Sequence, residues 1–113
     1  MIHIYGIKSC GSVKKALTFF KNHEIEHIFH DYKTQQLPCT KVEEWLTKTD
    51  IKTLFNAKST TYRELKLKEL NLDEHGQKEW LCKENRLIKR PVVEFNGSLL
   101  VGFDEENYTR SFL

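Results

Sequence analysis

The chain has 113 residues, 39% of them hydrophobic and 30% charged, which is the composition of an ordinary globular protein with material for one core. Eighteen Lys and Arg stand against sixteen Asp and Glu, a formal +2 that is too balanced to imply direct nucleic-acid binding or an anionic membrane. No apolar run approaches the ~20 residues of a bilayer span, and Met1-Ile2-His3-Ile4-Tyr5 lacks the basic start and long apolar middle of a signal peptide, so the expected location is the cytoplasm.

In chain order, residues 1–5 read as a short strand. Gly6 to Gly11 is a turn holding Ser9 and Cys10. Val13, Ala16, Leu17 and Phe20 then recur at helical spacing, which predicts an amphipathic helix over 10–22. Residues 26–32 predict a second strand. Strand, helix and strand within about thirty residues have the size of a parallel βαβ unit. Residues 33–38 read as a polar loop.

From Cys39 the pattern turns helical. Thr40 with Glu43, and Thr61 with Glu64, stand in the T-x-x-E relation of a capping box. Asp50 is placed to cap a short helix carrying Ile51, Leu54 and Phe55. Residues 71–76 read as a break, followed by a helix over 75–84 with Trp80 and Leu81. After Arg90-Pro91, residues 92–95 and 99–101 predict strands joined by Asn96-Gly97, a strong hairpin signal. Asp104 is placed to cap a last helix with Tyr108 and Phe112 on its apolar side. The order β-α-β, helices, β-β-α describes a single α/β domain with a helical insertion over about 40–87.

Three cysteines at wide spacing, Cys10, Cys39 and Cys82, do not form a dense, even disulfide framework, so all three are expected as reduced thiols. Cys10 stands where the first strand gives way to the first helix. The unpaired N–H groups of a helix start stabilise negative charge, so a thiol there is expected to ionise more readily than a free one. Lys8, Lys14 and Lys15 act in the same direction, and Gly11 and Ser12 let backbone amides approach a bound anion. A C-x-x-C dithiol needs cysteine at position 13, where this chain has Val13. Cys10 is therefore expected to work as a monothiol resolved by an external thiol. Cys39, in a loop, and Cys82, packed beside Trp80 and Leu81, are the candidate internal resolvers, with core packing the expected role of Cys82. Arg90 would hold an anionic group if its loop lies beside Cys10. His23, His27 and His30 lack metal-ligand spacing, so no metal is expected.

Taken together, Ile4 to Ala16, His30-Asp31-Tyr32-Lys33, Phe55 to Leu65, Ile88-Lys89-Arg90-Pro91-Val92-Val93 and Leu100-Val101-Gly102-Phe103 resemble, in order, the motifs of the arsenate reductase (ArsC)/Spx family. The nearest branch is that of the YffB-like ArsC proteins, proposed to be glutathione-dependent thiol reductases. The resemblance implies a thioredoxin-like fold with a helical insertion. It implies a nucleophilic Cys10 and a cis-proline, Pro91, facing it. Arg90 matches one of three arginines that hold the oxyanion in arsenate reductases. Asn56 or Lys58, depending on register, aligns with the second and Gly102 with the third, which weighs against arsenate itself as substrate. The Spx branch regulates transcription through RNA polymerase and typically carries a C-x-x-C switch, which Val13 removes.

These readings lead to a thiol-dependent reductase. Cys10 is its nucleophile. Gly11, Ser12, Val13, Arg90 and Pro91 form the substrate- or anion-binding set, and Lys8 and Lys58 are weaker candidates. No bound cofactor is expected; glutathione is the co-substrate and glutathione or a glutaredoxin the partner. The alternatives are an Spx-like regulator that contacts RNA polymerase, and arsenate reduction.

Overall fold

The computed structural model describes residues 1–113. Its elements run β1 (Ile2–Gly6), α1 (Gly11–Asn22), β2 (His27–Asp31), α2 (Cys39–Leu46), α3 (Ile51–Leu54), α4 (Thr60–Glu64), α5 (Glu74–Lys83), β3 (Val92–Phe95), β4 (Ser98–Val101) and α6 (Glu105–Phe112). Residues divide into two compact units, Met1–Asp31 with Arg90–Leu113, and Tyr32–Lys89.

The first unit holds a four-stranded sheet in the order β2-β1-β3-β4. β1 and β2 are parallel, with Ile4 opposite Phe29, and β3 runs antiparallel to both β1 and β4. A β-α-β half joined to a β-β-α half in this order is the thioredoxin-like fold. The hairpin forms because Asn96 and Gly97 both adopt positive φ (46° and 76°), as the tight turn between twisted strands requires. Alternation along the strands sends Ile4 and Val93 to one face, where they pack with Ala16, Phe19 and Phe20 of α1 and Tyr108 of α6. Tyr108 sits among rings, edge-on to Phe19, Phe103 and Phe112, and its hydroxyl donates to the Gly102 carbonyl at 3.0 Å. Burial raises its phenol above the ordinary value of 10.

In the second unit α2 and α3 pack on α5. Val42, Trp45, Ile51, Leu54, Leu67, Leu81, Leu87 and Ile88 are buried. Asn85, also buried, joins distant segments: its Oδ1 accepts from the Leu37 N–H at 2.8 Å and its Nδ2 donates to the Leu81 carbonyl at 2.9 Å. Cys39 and Cys82 form a disulfide between α2 and α5. The expectation of three reduced thiols is corrected here. The two stand at a sequence separation of 43, over which spacing carries no pairing signal. Cys39 is also the first residue of a helix and not a loop residue, and Cys82 is half-buried, not a core side chain.

Helix starts differ from the reading in three places. Asp50 and Asp104 cap as expected, accepting from the Thr53 and Asn107 N–H groups at 2.7 and 3.2 Å. Neither T-x-x-E pair caps. α4 is capped by Ser59, whose Oγ accepts from the Tyr62 N–H at 3.1 Å, so Thr61 lies inside the helix. α2 starts at Cys39 after Pro38, with no side-chain cap, where the tertiary ties at Leu37 and Cys39 hold the chain. α5 starts two residues before Gly76, capped by Asp73.

Candidate active site

Four chain segments meet at one end of the sheet in the first unit. The register pairs Tyr5 with Val92 and Gly6 with Asp31, and Val92 with Val101. The exits of β1, β2 and β4 and the entry of β3 therefore share that end. Cys10 lies just beyond β1, and Arg90-Pro91 leads into β3.

Cys10 is the N-cap of α1, extended at φ −72° and ψ 130°. Its N–H donates to the Ile7 carbonyl at 2.9 Å, which closes a turn over exposed Lys8 and Ser9. Its carbonyl accepts from the Lys14 N–H at 3.0 Å, the first bond of the helix. The N–H groups of Gly11, Ser12 and Val13 open the helix and have no intrahelical acceptor, so they are available to a bound anion. Cys10 is a free thiol and half-buried. The Val13 side chain is wholly buried, so its contribution to an anion site is the backbone N–H alone. It packs so close to Gly6 that a Cβ there would stand 2.6 Å from Val13 Cγ2. This contact brings the helix start hard against the end of β1.

The Arg90–Pro91 bond is cis. Pro91 is buried and Arg90 half-buried. The Pro91 carbonyl accepts from the Gly102 N–H at 2.7 Å, and Gly102 adopts a φ of +84°, a conformation that favours glycine. The position aligned with a third arginine thus carries no side chain. Its backbone instead steadies the proline turn. Asn56 and Lys58 belong to the second unit. Asn56 is half-buried, its N–H bonded to the Leu87 carbonyl at 2.8 Å and its Oδ1 to the Lys58 N–H at 3.1 Å, while Lys58 is exposed.

One cluster went unread in the sequence. His3 Nδ1 and His30 Nε2 share a hydrogen bond of 2.9 Å, Tyr5 stacks on His30 at 4.4 Å, and the Tyr5 hydroxyl donates to Glu94 at 3.2 Å. These side chains occupy the sheet face opposite Ile4 and Val93. Only strand register brings them together, because β1 to β3 come from distant parts of the chain.

The family model that matches the chain is that of the ArsC family, over residues 5–111. An uncharacterized protein of Haemophilus influenzae is 39% identical over 113 residues, covering 99% of both chains. The global transcriptional regulator Spx 1 of Lactococcus lactis is 27% identical over 115 residues, covering 100% of this chain and 89% of that one. The solved structure of the YffB protein superposes with a TM-score of 0.91 at 33% identity, covering 100% of both chains. With this match running nearly end to end through the strand–cysteine–helix turn and the cis-proline strand, the chain belongs to the ArsC family and is related to arsenate reductases and to Spx regulators.

Proposed function

We propose that the protein is a thiol-dependent reductase whose nucleophile is Cys10. The observation that carries the reading is that Cys10 is the free thiol of the chain, placed at the N-cap of α1, at the sheet end that also receives the cis Arg90–Pro91 turn. Through the N–H groups of Gly11, Ser12 and Val13 the helix start stabilises a bound oxyanion. Arg90 supplies a guanidinium for the carboxylates of glutathione or an anionic substrate. The Pro91 turn offers an extended edge to a thiol peptide. Lys8 adds positive charge.

The reaction is a two-electron exchange. The Cys10 thiolate attacks the glutathione sulfur of a mixed disulfide, a new Cys10–glutathione bond forms, and the substrate sulfur leaves as thiolate. A second thiol, from glutathione or a glutaredoxin, then attacks the glutathione sulfur of that adduct and frees Cys10. With glutathione as the second thiol the net result is one reduced substrate thiol and one oxidised glutathione; with a glutaredoxin the glutathione leaves as a mixed disulfide on the glutaredoxin. No metal or bound cofactor takes part, and the setting is the cytoplasm.

Purified protein mixed with oxidised glutathione at neutral pH is expected to gain one glutathione, seen by intact mass and mapped to Cys10. Cys10→Ser is expected to gain none. Absence of an adduct on the native chain refutes the reading. A second reading, a regulator that contacts RNA polymerase, is favoured by the full-length relationship to Spx 1. Recovery of RNA polymerase on immobilised protein, unchanged by Cys10→Ser, would support it. Turnover of arsenate with glutathione and glutaredoxin would support the third.

A further inference from the structure

The Cys39–Cys82 disulfide joins two helix ends of opposite polarity. Cys39 is the first residue of α2, and Cys82 the last but one of α5. Unpaired N–H groups at the start of α2 stabilise a thiolate on Cys39, and the carbonyl end of α5 disfavours one on Cys82. Exposure is unequal in the same sense: Cys39 is exposed and Cys82 half-buried. Cys39 is therefore the more solvent-exposed residue of the pair.

Other bonds hold the two segments without the disulfide. Asn85 ties Leu37 to Leu81, and the Gln36 amide donates to the Cys82 carbonyl at 3.3 Å. Opening the disulfide thus leaves its two sulfurs close enough to re-form it. A cleft of about 470 Å³ is lined by Gln36, whose amide bonds the Cys82 carbonyl, and by Lys33, Lys83, Glu84 and Arg86 among others. Lys83 directly follows Cys82 in the chain. Three cations against one carboxylate make the cleft attractive to a small anion.

We propose that Cys39 and Cys82 form a second thiol–disulfide exchange centre that serves a small anionic thiol of the glutathione type. In the oxidising direction the Cys39 thiolate attacks a low-molecular-weight disulfide and expels one thiolate, leaving a mixed disulfide on Cys39. The Cys82 thiolate then attacks the Cys39 sulfur, forms the observed bond and expels the second thiolate. Two electrons pass from the dithiol to the small disulfide. In reverse, one thiolate attacks the Cys39 sulfur and frees Cys82. A second takes the external sulfur and releases Cys39, whose departure the start of α2 assists. In a reducing compartment, disulfides that do form are usually catalytic or redox-sensing, which accords with this assignment. The centre does not depend on Cys10.

The test uses the full chain carrying Cys10→Ser, so that no adduct on Cys10 contributes. The protein is equilibrated anaerobically in buffers of graded reduced-to-oxidised glutathione ratio, quenched, alkylated with N-ethylmaleimide and weighed intact. Two alkylatable thiols are expected to appear together, to vanish on return to oxidised glutathione, and to leave the far-UV circular dichroism unchanged. A bond that survives the most reducing ratio and opens only in denaturant overturns the proposal. Two companions separate the sulfurs. Cys10→Ser/Cys82→Ser is expected to take up glutathione on Cys39 about tenfold faster than Cys10→Ser/Cys39→Ser takes it up on Cys82. Equal or reversed rates overturn the assignment of Cys39. Added salt is expected to slow opening by glutathione and to leave opening by 2-mercaptoethanol unchanged; an equal salt response overturns the anionic-thiol preference.

Discussion

Removing a single oxygen, by Tyr108→Phe, tests how the core of the first unit supports the Pro91 turn. The ring keeps its edge contacts with Phe19, Phe103 and Phe112, so little packing is lost. The buried Gly102 carbonyl loses its donor, while the Gly102 N–H still holds the Pro91 carbonyl. An orphaned buried acceptor costs about 1–2 kcal/mol. Urea unfolding followed by circular dichroism at pH 7 is expected to show that loss as a lower midpoint with an unchanged slope. Alkali supplies the second half of the test. In the unfolded chain the phenol ionises near ~10, whereas burial raises it in the fold. Above pH ~10 the folded state keeps a proton that the unfolded state releases, so this part of wild-type stability is complete below ~10. It falls by about 1.4 kcal/mol per pH unit above that point. Tyr108→Phe lacks this limb. The gap between the two proteins is therefore expected to close near about pH 11, measured in a Cys10→Ser background to prevent thiol exchange. A gap that stays constant through that range, or a loss under about 0.3 kcal/mol at pH 7, refutes the reasoning.

Asn85→Ala strands the Leu37 N–H and the Leu81 carbonyl together and is expected to cost about 2–4 kcal/mol, read from the denaturation midpoint. Gly6→Ala drives a methyl into Val13 and is expected to cost about 1–3 kcal/mol. Pairing it with Val13→Ala in a double-mutant cycle should reveal a coupling of at least ~0.5 kcal/mol. Glu84 is held below its ordinary 4.5 by hydrogen bonds from Arg86, at 3.0 and 3.1 Å to its two oxygens. Its contribution is therefore present above about 4.5 and lost as the pH falls through the lower folded value. Because the pair is largely exposed, Glu84→Gln is expected to flatten the acid limb of stability against pH by less than about 1 kcal/mol.

Much of this architecture can be read locally. Alternation marks the strands, the 3.6-residue recurrence from Val13 to Phe20 marks α1, and Asp50, Asp104 and Asn96-Gly97 act on neighbours one to three residues away. Cys10 before a helix is legible for the same reason, since a cap and its helix are contiguous. Local rules failed where two caps competed. Ser59 and Thr61 are both sound N-caps, and the turn built on Asn56, bonded to the Leu87 carbonyl, decided for Ser59. The capping box at Thr40 lost to a helix start fastened through Leu37 and Cys39.

The amino-acid order by itself determined the β-α-β and β-β-α halves, the helical stretch between them, and a cysteine turn placed at a helix start. Tertiary structure alone decided that Cys39 bonds Cys82, that Asn85 joins Leu37 to Leu81, and that His3 meets His30. Hydrogen bonds within a helix or turn span three or four residues and so leave a periodic trace. Partners tens of residues apart meet only when strands register and helices pack, and spacing carries no record of that.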